Sequence, residues 1–169
     1  MKNIAKYIVA FGFAFLLAGG LKADASTYGH SVGVRLGNHF AADYKFYVSN
    51  HSAFDFAFGL VNPFSPQYQF LLFSGAYDFH FGTDVSGLSP YIGGGLSLGT
   101  RFGDLDVALR DRVDFFLSLD IPVGIEYSVR RKPVAFFLEW NPKVQLVSDI
   151  RFIPHSASIG VRFVFPRLR

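Results

Sequence analysis

Along most of this chain apolar and polar residues alternate with a period of two, and no long stretch repeats at helical spacing. Neighbours in a strand point to opposite faces, so the alternation predicts two-faced β-strands. It is cleanest late in the chain, where Val134, Phe136, Leu138, Trp140, Val144 and Leu146 share one face. Ala135, Phe137, Glu139, Asn141, Lys143 and Gln145 share the other. Leu117, Leu119, Ile121, Val123, Ile125 and Tyr127 likewise oppose Ser118, Asp120, Gly124, Glu126 and Ser128. Earlier, Tyr44, Phe46, Val48, Phe54, Phe56 and Phe58 oppose Asp43, Lys45, Tyr47, Asp55, Ala57 and Gly59. Turn-forming clusters divide the chain into eight runs, at 30–37, 42–49, 53–61, 70–81, 90–102, 113–129, 134–147 and 155–165.

A soluble barrel or sandwich would turn the apolar face inward, and a transmembrane barrel would turn it toward lipid. Three features select the second. Glycines fall largely on the polar face (Gly33, Gly37, Gly59, Gly93, Gly95, Gly99, Gly124, Gly160), where a narrow lumen crowds larger side chains. Many runs reach the ten or so residues that a tilted strand needs to cross a membrane. The 21 Phe and 18% aromatic content exceed what a soluble core of this size needs, and Tyr44, Tyr77, Phe79, Phe81, Tyr127 and Trp140 suit interfacial girdles. The expected fold is all-β: an eight-stranded antiparallel transmembrane β-barrel of up-and-down topology.

The amino-terminal segment supports this reading. A basic stretch from Met1 to Lys6 precedes the apolar run YIVAFGFAFLLAG and the small-residue motif Ala23-Asp24-Ala25. This is the pattern of a secretory signal peptide cleaved before Ser26, which assigns 1–25 to the leader and 26–169 to the barrel. The apolar segment is of signal length and short for an uncleaved membrane anchor. The chain carries 16 Lys+Arg and 13 Asp+Glu. Removing the leader's Lys2, Lys6, Lys22 and Asp24 leaves 13 against 12, so the alkaline balance does not argue for nucleic acid. With no cysteine there is no thiolate nucleophile, disulfide frame or Cys-ligated metal.

The last run adds a more specific mark. Ser158, Gly160, Phe163 and Phe165 stand in the order polar-x-Gly-x-x-apolar-x-aromatic, which resembles the outer-membrane assembly signal. The stretches Pro90–Gly99 and Val123–Val129 are similar to the fifth and sixth strands of small OmpA-like, OmpX-like and opacity-type barrels. That resemblance implies a Gram-negative cell outer membrane, both termini on the periplasmic side, and two partners: outer-membrane lipid and the barrel-assembly machinery. It leaves any host or envelope partner open.

Candidate chemistry is sparse. Barrel-type lipid A deacylases pair a His and a Ser two residues apart, whereas His155 and Ser156 are adjacent and fall on opposite faces. Asp78 and His80 share the polar face, but the sequence identifies no nucleophile beside them and a lumen pair is the expected role. His30, His39 and His51 sit at run ends without metal-ligand spacing and are expected at the surface. Gly93–Gly95 lacks the P-loop pattern and reads as barrel packing. Asn50-His51-Ser52 reads as a hairpin turn, and Arg130-Arg131-Lys132-Pro133 as a basic one. No cofactor, metal or catalytic residue is expected.

The polar face carries near-balanced charge, Arg35, Lys45, Arg101, Lys143 and Arg162 beside Asp43, Asp55, Asp78, Asp120, Glu126 and Glu139. Within it, Arg35, Lys45, Asp55, Asp120, Glu126, Glu139, Lys143 and Arg162 are expected to form a lumen ion-pair network. Centring the last hairpin on residues 148–154 makes paired residue numbers sum to about 301. Glu139 then faces Arg162, and Lys143 lies near Ser158 and within reach of Asp120. The expected function is a structural or interaction barrel with a filled lumen, serving envelope integrity or adhesion. The alternatives are a lipid-modifying enzyme and a narrow pore.

Overall fold

Period-two patterning produces strands throughout the part of the chain that the computed structural model describes, residues 28–61, 70–101, 115–147 and 150–165. The expected leader (1–25), the connections within 62–69 and 102–114, the side chain of Arg101, and residues 166–169 lie outside that description. Eleven strand segments follow in order: β1 His30–Gly37, β2 His39–Tyr47, β3 Ser52–Val61, β4 Phe70–His80, β5 Leu88–Arg101, β6 Phe115–Asp120, β7 Val123–Ser128, β8 Val134–Trp140, β9 Lys143–Gln145, β10 Arg151–Ile153 and β11 Ala157–Phe165. Among the described residues there is no helix.

The segments compose eight antiparallel strands closed into a barrel. Each of the first five pairs with the next, and β1 closes the ring against β11. β5 pairs with both β6 and β7, so those two are halves of the sixth strand. β8 with β9, and β10 with β11, make up the seventh and eighth. The three interruptions fall at Ile121–Pro122, Asn141–Pro142 and Pro154–Ser156, each marked by a proline that has no amide to donate to the ladder. They lie side by side, linked by Ile121 N–H to the Pro142 carbonyl (3.1 Å) and Asn141 N–H to the Ser156 carbonyl (2.7 Å).

Two boundaries differ from the sequence expectation. Residues 39–41, assigned to a connection, open β2, because Phe40 continues the outward apolar face and Ala41 the buried one. Arg151, Phe152 and Ile153, also assigned to a connection, form β10 and pair with β9. The last hairpin therefore turns earlier than expected, and the register moves by four residues: Glu139 pairs with Ser158, and Arg162 with Ala135. Paired numbers sum to 297 there and 296 between β9 and β10, so one extra residue is taken up at Pro154, a β-bulge.

The burial pattern is inverted relative to a water-soluble protein. Outward positions are apolar and exposed, including Phe58 (53%), Leu138 (52%) and Ile159 (57%), while the buried set is dominated by charged and hydroxyl side chains. Such a surface is stable only against lipid, and the polarity is that of a transmembrane barrel. Tyr28 and Phe165 lie at one end, together with the turns 48–51, 81–87 and 129–133.

Candidate functional site

The lumen is where the chemistry collects. An eight-stranded barrel encloses a space about as wide as its own inward side chains can fill. Every second residue points there, so charged residues from β1, β2, β3, β4, β7, β8 and β11 are brought to one level.

Arg162 and Arg35 organise this level, and both bond to Asp43. Arg162 bonds to Asp43, to Asp55 Oδ2 (2.6 Å) and to Glu126 Oε2 (2.6 Å). Arg35 reaches Asp43 Oδ2 (2.8 Å), Asp55 Oδ1 (3.1 Å) and Glu139 Oε1 (2.7 Å). Lys45 bonds to Asp78 Oδ2 at 2.8 Å and lies 3.5 Å from Asp55 Oδ2. The Phe137 ring lies against both guanidinium groups, with Arg162 Cζ 3.8 Å and Arg35 Cζ 5.1 Å from its centroid. Lys45 Nζ lies 4.2 Å from the Tyr91 centroid, so aromatic faces supply part of the cations' surroundings. A separate group sits beyond the interruptions: Lys143 bonds to Asp120 and to Ser97 Oγ (2.9 Å), and Ser118 Oγ donates to Asp120 Oδ1 (2.8 Å).

Small residues make room for these side chains. Gly33 pairs with Arg162 on one side and Asp43 on the other. A Cβ there would stand 2.9 Å from both Cα and Cγ of Arg162, so the guanidinium crosses β1 only because that position has no side chain. Gly124 does the same for Tyr91, whose hydroxyl would lie 2.6 Å from an added Cβ and instead donates to Glu139 Oε2 (2.9 Å).

Toward the end at which Tyr28 and Phe165 lie, the lumen is floored by rings. Tyr28, Tyr47, His80 and Tyr91 contact in series at centroid spacings of 5.0, 4.9 and 5.0 Å. Tyr28 and Tyr47 both donate to Glu126 Oε1. Lys45, Asp78, His80 and Arg162 show no solvent exposure at all.

All eight residues expected in the network line this lumen. They fall into two groups, with Asp120 and Lys143 apart from the other six. Glu139 bonds to Arg35, not Arg162, as the shifted register dictates. Ser158 and Gly160 face inward, Gly160 against the Phe137 ring, while Phe163 and Phe165 face outward.

Asp78 and His80 are not partners. Asp78 Oδ2 takes Lys45 and its Oδ1 has no hydrogen bond, while His80 contacts Tyr47 Oη and Ser89 Oγ, the latter 2.9 Å from Nδ1. Ser89 is thus a hydroxyl beside an imidazole that the sequence did not reveal. It comes from the β5 side of a hairpin nine residues on, and only the strand pairing brings it near. Both groups are buried. His39, expected at the surface, is buried, because β2 begins one residue before Phe40 and turns His39 inward. His155 is exposed and Ser156 buried, on opposite faces. Among the described residues no group of His, Asp and Glu could hold a metal ion.

No protein-family model and no curated protein sequence matches the chain. Among solved structures, the N-terminal β-barrel domain of Pseudomonas aeruginosa OprF superposes with a TM-score of 0.58 at 17% identity, covering 85% of this chain and all of that one. The two share the barrel fold. At that identity the likeness is one of fold alone.

Proposed function

We propose that the chain is an outer-membrane structural barrel of a Gram-negative bacterium, filled by ion-paired side chains and contributing to envelope integrity. The observation that carries this reading is the combination of an apolar exterior with a lumen whose central charges reach no solvent and are paired across the barrel. Among the described residues, side chains that fill the lumen in this way speak against a pore, and the His80–Ser89 contact is buried, which speaks against a lipid-modifying enzyme. The connections are short for an adhesin. The OprF-like fold agrees with an outer-membrane location. Lipid would cover the exterior, and the assembly machinery would read Ser158, Gly160, Phe163 and Phe165 at the closing strand.

Native extraction tests it. The protein should fractionate with the outer membrane, migrate differently on gels before and after boiling, and give no steady conductance in planar bilayers. A soluble form with unchanged mobility would overturn the membrane reading, and a large steady conductance would overturn the filled lumen.

A further inference from the structure

The hairpin between β7 and β8 carries three consecutive basic residues, Arg130, Arg131 and Lys132, all exposed. It is closed by Val129 N–H to the Val134 carbonyl (2.9 Å) and Lys132 N–H to the Val129 carbonyl (3.2 Å). Arg131 occupies its third position with φ of 61°, and it is the one non-glycine residue with positive φ among those described. Glycine or asparagine takes that conformation with least strain, whereas a long β-carbon-bearing side chain is disfavoured there. Strain of this kind in a turn points to a role for the side chain that bears it.

Its surroundings indicate that role. The outward face near this turn is rich in aromatics: Tyr127 and Phe136 on the hairpin, and Phe163 and Phe165 on the neighbouring β11, are each more than two-fifths exposed. Arg130 lies three residues beyond Tyr127, roughly 10 Å along an extended strand. Aromatic residues of this kind mark the membrane interface, which puts the three cations at headgroup level. The other two turns at this end, 48–51 and 81–87, contribute a single acid, Asp84, so the rim is predominantly positive.

We propose that the Arg130–Lys132 turn binds the phosphate of anionic phospholipid headgroups in the leaflet at the end where Tyr28 and Phe165 lie. The inference rests on the transmembrane reading above. Two guanidinium forks and an ammonium, all exposed on one short turn, offer charge-assisted bonds to phosphate oxygens.

The test uses the full barrel in nanodiscs made of equal parts phosphatidylglycerol and phosphatidylcholine, with native mass spectrometry to count the lipids retained. The unmodified protein should retain phosphatidylglycerol in preference. Arg131→Gly, which relieves the strained φ, should lower that preference roughly fivefold while leaving the unfolding midpoint equal or higher. The double change Arg130→Gln with Lys132→Gln should lower it further, and added salt should erase it. No headgroup preference in the unmodified protein, or equal retention by the variants, would overturn the proposal and leave the barrel reading intact. Loss of binding to isolated cell-wall sacculi with unchanged lipid retention would reassign the turn to the wall polymer and also overturn it. Failure to insert into nanodiscs at all would overturn both readings.

Discussion

Arg162 on β11 and Asp43 on β2 are joined across the intervening strand β1, over Gly33, the residue that pairs with both. The contact ties the closing strand to the second strand, so closure of the barrel and neutralisation of its core are one event.

Buried carboxylates outnumber buried lysines and arginines six to four among the described residues, and Arg162 alone serves three of them. Arg162→Ala should therefore destabilise the barrel by about 3 to 5 kcal/mol, because it leaves several carboxylates uncompensated. Asp43→Ala should cost less, since both guanidinium groups keep other acids, and the double variant should lose less than the sum. Urea titration in lipid vesicles, read by the heat-modifiable gel shift, measures all three. Additive losses would contradict the shared network.

Gly33→Ala should destabilise by about 1 to 3 kcal/mol, the usual cost of forcing extra volume into a packed site. Gly94→Ala, where an added Cβ meets nothing within 4 Å, is the control and should be nearly neutral. Equal unfolding midpoints for the two would show that the crossing over β1 does not depend on glycine.

Leu138 is outward and 52% exposed, paired with Ile159 and Ile125 in mid-wall. Leu138→Arg should cost about 2 to 4 kcal/mol when the barrel is folded in lipid. Refolding yields in bilayers of increasing thickness give the readout, and a cost that ignores thickness would argue against this depth.

The closing strand should also govern assembly. Phe165→Ala should lower the amount of folded barrel in the outer membrane with export unchanged, whereas Phe136→Ala, a similarly exposed aromatic on β8, should not. Fractionation with immunoblotting separates the two, and equal losses would reduce Phe165 to ordinary lipid contact.

Strand count, polarity and the inward charges were legible because a period of two survives every irregularity: Asp120 and Glu126 keep the same face on either side of Pro122. Register was not legible, because hairpin centring depends on where the turn begins, and Arg151–Ile153 offer no alternation strong enough to mark them as strand. Tyr28 could not be placed from pattern, since it precedes β1 and enters the lumen through its bond to Glu126. Phe137 shared a face with Glu139 in the sequence, yet its contact with two guanidinium groups emerges only when β1 and β11 pair and bring Arg35 and Arg162 to the ring. The Ser89–His80 contact is likewise a product of pairing.

The three proline-marked interruptions align across neighbouring strands, and this divides one side of the wall into an upper and a lower panel. Along that crease each proline withholds a donor, while the carbonyls of Pro122 and Pro142 still accept from Gly93 and Ile121. The upper panel has its own staple in Lys143–Asp120, and the lower one holds the Arg162 network. The ladder is thus thinned along one line of the wall, and the two groups of buried charge are held on opposite sides of that line, each neutralised within its own panel.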